Sequence, residues 1–162
     1  MITNYLSPLE FIVIIKRLPN VQFYTQRTVI PNISVAPIEY ATPFKPIYET
    51  GDRLQYGELN FTFILNEDMS NYTEIYDWMK GTSFPENFDQ YKKLETSYNG
   101  IKSDISIKIL NSNKNPAIQV DYFDCFPIDL SEVTLDTTQT DVVYPEATAT
   151  FRYNYFKIAK LS

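Results

Sequence analysis

Histidine is missing from this 162-residue chain, and its absence closes off a good deal of chemistry. Without an imidazole there is no Ser-His-Asp or Cys-His hydrolytic centre, no His-ligated zinc and no ordinary proton shuttle near neutral pH. Cysteine occurs once, at Cys125, so no intramolecular disulfide can form. Its setting, DYFDCFP, is aromatic on both sides and fits a buried, inert thiol better than a nucleophile. Only four glycines are present, Gly51, Gly57, Gly81 and Gly100, too far apart for a phosphate-cradling loop. The longest wholly apolar run is Phe11–Ile15, which cannot cross a membrane. The opening residues MITNYLSPLE have neither a basic nor an apolar stretch, so no secretory signal is expected there. The net charge is −6, with no cationic run longer than pairs such as Lys92-Lys93, which argues against tight capture of nucleic acid.

What is present points to strands. Hydrophobic residues make up 44% and charged residues 21%, as expected of a single globular domain over residues 1–162. In EATATFRYNYFKI, Ala147, Ala149, Phe151, Tyr153 and Tyr155 alternate with Glu146, Thr148, Thr150, Arg152 and Asn154. That spacing predicts one long strand with a packed face and a polar face. DISIKIL (104–110) and AIQVDYFDC (from Ala117) flank the turn-rich NSNKNP and predict a hairpin. EFIVIIKR and VQFYTQRTV predict strands on either side of Leu18-Pro19-Asn20, and ELNFTFIL (58–65) predicts another. One helix is expected in EDMSNYTEIYDWMKG, capped at Asp68 or Ser70 and stopped by Gly81. Its buried stripe would be Tyr72, Ile75, Tyr76 and Met79, with Trp78 beside it. A short helical turn around Glu86–Lys93 would follow. The expected fold is therefore mainly β: an antiparallel sandwich or barrel with one flanking helix and long extended loops.

No chemical centre emerges from the acids. Glu67-Asp68 at a helix start is explained by the helix dipole, and Asp121 and Asp124 have opposite strand parity. The acidic run Asp129–Asp141 lacks the spacing of a calcium loop and reads as a solvated connection. The Asn-x-Ser/Thr triplets at Asn32, Asn60 and Asn71 carry no glycosylation signal without export. No cofactor, metal or catalytic residue is expected.

The segment QRTVIPNISVAPIEYATPFKPIYETGD (26–52) is different. It holds Pro31, Pro37, Pro43 and Pro46 among many apolar residues and has no helical period. Prolines resist interior sheet pairing, yet the apolar side chains need cover. A stiffened arm lying on another copy of the chain meets both conditions, and 13 tyrosines suit surfaces buried on association.

The order of motifs is also telling. FIVIIKRLPNVQFYTQ and VIPNIS are followed by TPF (42–44), GDRLQY (from Gly51), LNFTFILNED, NYTEIYDW, DCFPIDLSEV and ATATFRYNY. This succession resembles the tail tube proteins of contractile-tailed bacteriophages, whose relatives include type VI secretion and pyocin tubes. The resemblance implies a structural virion protein, not an enzyme, whose copies form stacked hexameric rings. The rings make the inner tail tube, the conduit for genome ejection. It implies that Thr42–Asp52 reaches a neighbouring subunit or ring, with Thr42, Pro43, Phe44, Pro46, Ile47, Tyr48, Gly51 and Asp52 as contacts. Residues 1–8, with Tyr5 and Leu6, would be a second contact arm. Thr148, Thr150, Arg152 and Asn154 would line the lumen, through which DNA passes without being held, or else form an outer face that meets the contractile sheath. Implied partners are further copies, the tail sheath, and the baseplate or tube initiator and terminator proteins. The alternatives are an initiator or tail-end ring with the same fold and, more distantly, a monomeric carbohydrate-binding module.

Overall fold

The computed structural model describes residues 5–83, 86–98 and 100–161. In chain order the elements are β1 (Phe11–Ile15), α1 (Pro19–Tyr24), β2 (Thr25–Thr28), β3 (Ile33–Val35), β4 (Ile38–Tyr40) and β5 (Ile47–Glu49). They continue with β6 (Leu54–Tyr56), β7 (Leu59–Ile64), α2 (Ser70–Ser83), α3 (Asp89–Tyr98), β8 (Ser103–Leu110), β9 (Pro116–Leu130), β10 (Glu146–Arg152) and β11 (Tyr155–Lys160). All strand pairings are antiparallel.

The strand β9 belongs to two sheets. Its first half pairs with β8 and β11, and β8 in turn with β1. Its second half pairs with β10, which leads to β7 and then β2. The change happens at an extra residue: Ser103 lies opposite Cys125 but Ile105 opposite Tyr122. There Asp124 takes φ 58°, a left-handed conformation that Asp tolerates better than most side chains. Its N–H donates to Asp104 Oδ1 at 3.1 Å, and Asn154 Nδ2 donates to Asp124 Oδ2 at 2.7 Å. Such a bulge lets a strand bend from one sheet into the next. It also overturns the parity argument for the two acids, because Tyr122 and Cys125, three residues apart, are both buried. Asp121 is taken up separately by Ser106 Oγ and Gln119 Nε2.

The inner faces of both sheets share one core. Val13 and Ile15, Ile105 and Ile107, and Val120 and Tyr122 come from one sheet. Leu59, Phe61, Phe63, Ala147, Ala149 and Phe151 come from the other. Phe61 and Trp78 both meet Phe151 edge-on or tilted, at 5.6 and 5.9 Å between centroids, geometry that aromatic pairs favour. The hairpin of β8 and β9 and the strand β7 stand where alternation placed them.

Several expectations are corrected. Val21–Tyr24 is helical, not extended: Pro19 sits at the start of α1, where its fixed φ suits a first helical turn, and Val21 is buried. The helix α2 begins at Ser70 itself, so neither Asp68 nor Ser70 occupies the position just before it, and its first turn holds no acid; Asn66 Oδ1 accepts from the Asn71 N–H. Its buried residues are Asn71, Ile75, Trp78 and Gly81, while Tyr76 is exposed. Gly81 does not stop the helix, which runs on to Ser83. The single flanking helix becomes three, because α1 is added and the turn expected near Glu86 is the ten-residue α3.

The long C-terminal strand is also two. The chain breaks at Tyr153-Asn154, where the Asn154 N–H donates to Phe123 O at 3.1 Å, and Tyr155 opens β11 on the other sheet. Ala147, Ala149, Phe151 and Tyr153 are buried as expected, whereas Tyr155 is exposed.

The role of Gly81 is spatial. A Cβ there would lie 2.2 Å from Leu94 Cδ1 and 2.6 Å from Leu94 Cγ, so the Leu94 side chain would have to leave its place against α2. Gly81→Ala is expected to lower unfolding free energy by about 1–3 kcal/mol despite alanine's better helix propensity. Urea unfolding would show this, with a smaller loss when Leu94→Ala is added to the same chain.

Candidate assembly surface

The apolar, proline-bearing segment is a two-stranded ribbon. Ile33, Ser34 and Val35 pair with Tyr56, Gln55 and Leu54; Ile38, Glu39 and Tyr40 pair with Glu49, Tyr48 and Ile47. Ala36-Pro37 interrupts one side and residues 50–53 the other, so the proline sits between ladders, where its missing N–H costs nothing. Gly51 is required at this interruption, since a Cβ would lie 1.9 Å from Ala36 O. At the tip, residues 41–46, Thr42 Oγ1 donates to Lys45 O and the Lys45 N–H returns to Thr42 Oγ1 at 3.3 Å.

Both faces of the ribbon meet water. Ile33 is 50% exposed and Phe44 is 98% exposed, and Val35, Ile38, Tyr40, Ile47, Tyr48 and Leu54 are exposed with them. No residue between Tyr24 and Tyr56 belongs to the core cluster. An isolated two-stranded ribbon is marginal in water, and a contiguous apolar surface of this kind marks an interaction site.

The expected contact residues thus fall on one projection. Thr42, Pro43, Phe44 and Pro46 form the tip, Ile47 and Tyr48 lie in β5, and Gly51 and Asp52 lie in the returning interruption. Of the expected second arm, residues 1–4 lie outside the described residues; Tyr5 and Leu6 are exposed and in no strand or helix.

The polar face of β10 is a ladder. Thr148 lies beside Thr62 and Thr150 beside Asn60, with Thr62 Oγ1 and Thr148 Oγ1 at 3.1 Å. Arg152 pairs with Glu58 at 2.8 Å, while Asn154 stands apart in the break, bonded to Asp124.

A second projection leaves the opposite end of the same sheet. Residues 131–145 form an irregular loop pinned at its neck by Ser131 N–H to Thr148 O, 2.8 Å, and Leu65 N–H to Pro145 O, 3.0 Å. Glu132, Asp136 and Asp141 make it acidic, and no Lys or Arg occurs between Lys114 and Arg152. Hydrogen bonds from the Thr138 hydroxyl and N–H hold the Asp136 carboxyl below its ordinary range. Leu135, Val142, Val143 and Tyr144 are exposed among these acids, Val142 at 85%. The acid run revealed the solvated connection; the apolar group was legible only in the cluster VVY.

Elsewhere, a cleft of about 370 Å³ between α2 and α3 is lined by Arg17, Glu74, Trp78 and Leu94. The Arg17 guanidinium lies 4.4 Å over the Trp78 ring and donates to Gly100 O at 2.9 Å, a structural arrangement. Among the described residues, no three potential metal-ligating side chains come together.

Cys125 is fully buried, and burial pushes its thiol up to about 12, with Tyr122 beside it raised for the same reason. Both groups stay neutral in the folded chain and ionise more readily once it unfolds. Stability is therefore complete below the ordinary thiol value of 9.0 and falls as pH rises toward 12. Urea titrations between neutral pH and about pH 10 are expected to show that loss, and Cys125→Ala should flatten it.

Residues 10–159 match the family described as phage tail tube protein. The chain belongs to that family.

It is a structural phage tail family, and this member is 28% identical over 112 residues to the tail tube terminator protein of Enterobacteria phage T4. That match takes in 68% of the chain and 60% of the T4 protein, so the chain spans less than two thirds of that relative's length. Two solved structures share the fold across nearly the whole chain. One is the anti-feeding prophage tube terminating cap: TM-score 0.68, 16% identity, 99% of this chain and 94% of that one. The other is the sheath/tube terminator of the PVC extracellular contractile injection system: TM-score 0.67, 18% identity, 98% and 99%. At these identities the likeness is one of fold. In this tail tube family member the described sheets form no closed barrel: β1 and β2, at the two ends of the strand order, do not pair with each other.

Since residues 42–50 add nothing to the core, deleting Thr42–Thr50 is expected to change unfolding free energy by no more than about 0.5 kcal/mol. Urea unfolding would check it, and a non-cooperative transition would show instead that the ribbon supports the body.

Proposed function

We propose that this protein is a ring-forming subunit that ends a contractile tail tube, lying in the virion tail as a terminator. The observation that carries assembly is the ribbon, an apolar projection that no part of its own chain covers. Another protein surface must cover it, and a tail-tube-related partner fits: further copies in the ring or the last ring of the tube. The relationship to the phage T4 terminator favours the end position over the main tube that the motif order first suggested.

The geometry supports an end position in a second way. The ribbon and the acidic loop project from opposite ends of the sheet formed by β7 and β10. A terminator needs two unlike ends, one that engages the tube and one that does not accept the next tube ring. The ribbon, with Thr42, Pro43, Phe44, Pro46, Ile47, Tyr48, Gly51 and Asp52, is the engaging end. The ring is a hexamer, as in the tubes the sequence resembles, and the sheath ends beside it. The polar ladder of Thr148 and Thr150 faces the lumen, where DNA passes without being held; hydroxyls do not neutralise phosphates.

The second reading, a main tube subunit, is favoured by a similar fold in the PVC sheath-tube complex, TM-score 0.62 and 15% identity. Electron microscopy of purified protein mixed with preformed tubes separates the two. A terminator is expected to sit at one tube end and arrest growth, with Phe44→Ser reducing end binding about tenfold or more, on the scale of a lost interface anchor. Long tubes built from this chain alone would make it the main tube protein.

A further inference from the structure

The ribbon joins the body through two short connections, residues 29–32 between β2 and β3, and Gly57-Glu58 between β6 and β7. Neither is a strand or helix, so together they form a hinge. Several contacts brace it. The Gly57 N–H donates to Asn32 O at 2.9 Å, tying the connections together. Tyr56 packs on Tyr153 and Phe156, at 5.8 and 5.4 Å between centroids. Arg152 reaches over from the body, its Nη2 donating to Glu58 Oε1 at 2.8 Å and its Nη1 to Tyr56 O at 3.5 Å. An open cleft of about 730 Å³ lies at this junction, lined by Val29, Ile30, Asn32, Gln55, Glu58 and Arg152.

We infer that Arg152 is a positioning residue that sets the angle at which the ribbon leaves the body. It is suited to that role because its backbone is fixed. It follows the fully buried Phe151 at the end of β10 and lies in register opposite Phe126. A planar guanidinium places two donors in a rigid fork, one directed at the Glu58 side chain in the connection and one at the main-chain oxygen of Tyr56, the last residue of β6. Both charged side chains are nearly half exposed, at 48% and 43%, so the pair adds little to folding stability. Its effect is directional: it holds one face of the hinge, and the cleft leaves the ribbon room to swing when that hold is lost. The consequence for assembly rests on the reading of the ribbon as the engaging end; the positioning itself does not.

The test measures ribbon direction in the isolated chain. Spin labels on Phe44→Cys at the tip and Asn113→Cys in the turn between β8 and β9 report the distance between projection and body. The native Cys125 is fully buried and stays unlabelled. A narrow distance distribution is expected with Arg152 present, at least twice as broad with Arg152→Ala and with Glu58→Gln, and narrow again in the swapped pair Arg152→Glu/Glu58→Arg. The melting temperature is expected to stay unchanged throughout. An unchanged distribution in both single variants overturns the inference, as does a lowered melting temperature with no change in width. Unlabelled variants then go to the tube-end binding assay, where about tenfold weaker binding is expected. Broadening without weaker binding upholds Arg152 as the positioning residue and removes the ribbon from tube engagement.

Discussion

The whole arrangement depends on one strand serving two sheets. At Asp124 the chain accepts a left-handed residue, and β9 passes from partnership with β8 and β11 to partnership with β10. Because the extra residue resets the alternation, Tyr122 and Cys125 both point into the core on either side of the crossing. The same place is gripped from the C-terminal side: Asn154 bonds both the Asp124 carboxylate and the Phe123 carbonyl, and its chain turns from β10 into β11 there. Two strands thus change sheets at one locus, held by three side chains, Asp104, Asp124 and Asn154. Around it the apolar faces of β7, β8 and β10 share one core.

How far the sequence disclosed this follows from what each segment had to satisfy. β7, β8 and β10 each bury alternate residues against a core, and that requirement writes itself into the chain as alternation. The C-terminal break left no mark, since Tyr153 and Tyr155 continue the alternation of β10 even though Tyr153 lies in the break and Tyr155 opens β11. α1 was hidden because Val, Phe and Tyr favour strands, while the deciding feature, Pro19 at a helix start, also suits a turn. Gly81 looked like a stop because nothing in a single sequence says that another helix will lie against it.

The candidate surface was legible in composition and not in form. Prolines and apolar residues together marked residues 26–52 as a segment needing a partner. Their pairing into β3–β6 and β4–β5 could not be read, because both faces of the ribbon are exposed and no burial imposes a period of two. The acidic loop was visible as charge alone. Arg152 was expected on a polar strand face, which is where it begins, but its side chain ends at the base of the ribbon, a contact 94 residues away in sequence.

The division between a packed body and an uncovered ribbon has a thermodynamic consequence. The body's apolar surface leaves water when the chain folds, whereas the ribbon's stays hydrated in the folded chain and, under the proposed reading, leaves water only when a partner covers it. The hydrophobic contribution is thereby split between two separate events. Under the proposed reading, the second event carries its own negative heat-capacity change, and its driving force weakens on cooling. Cold would then loosen the ring's hold on its neighbour before it troubles the subunit itself.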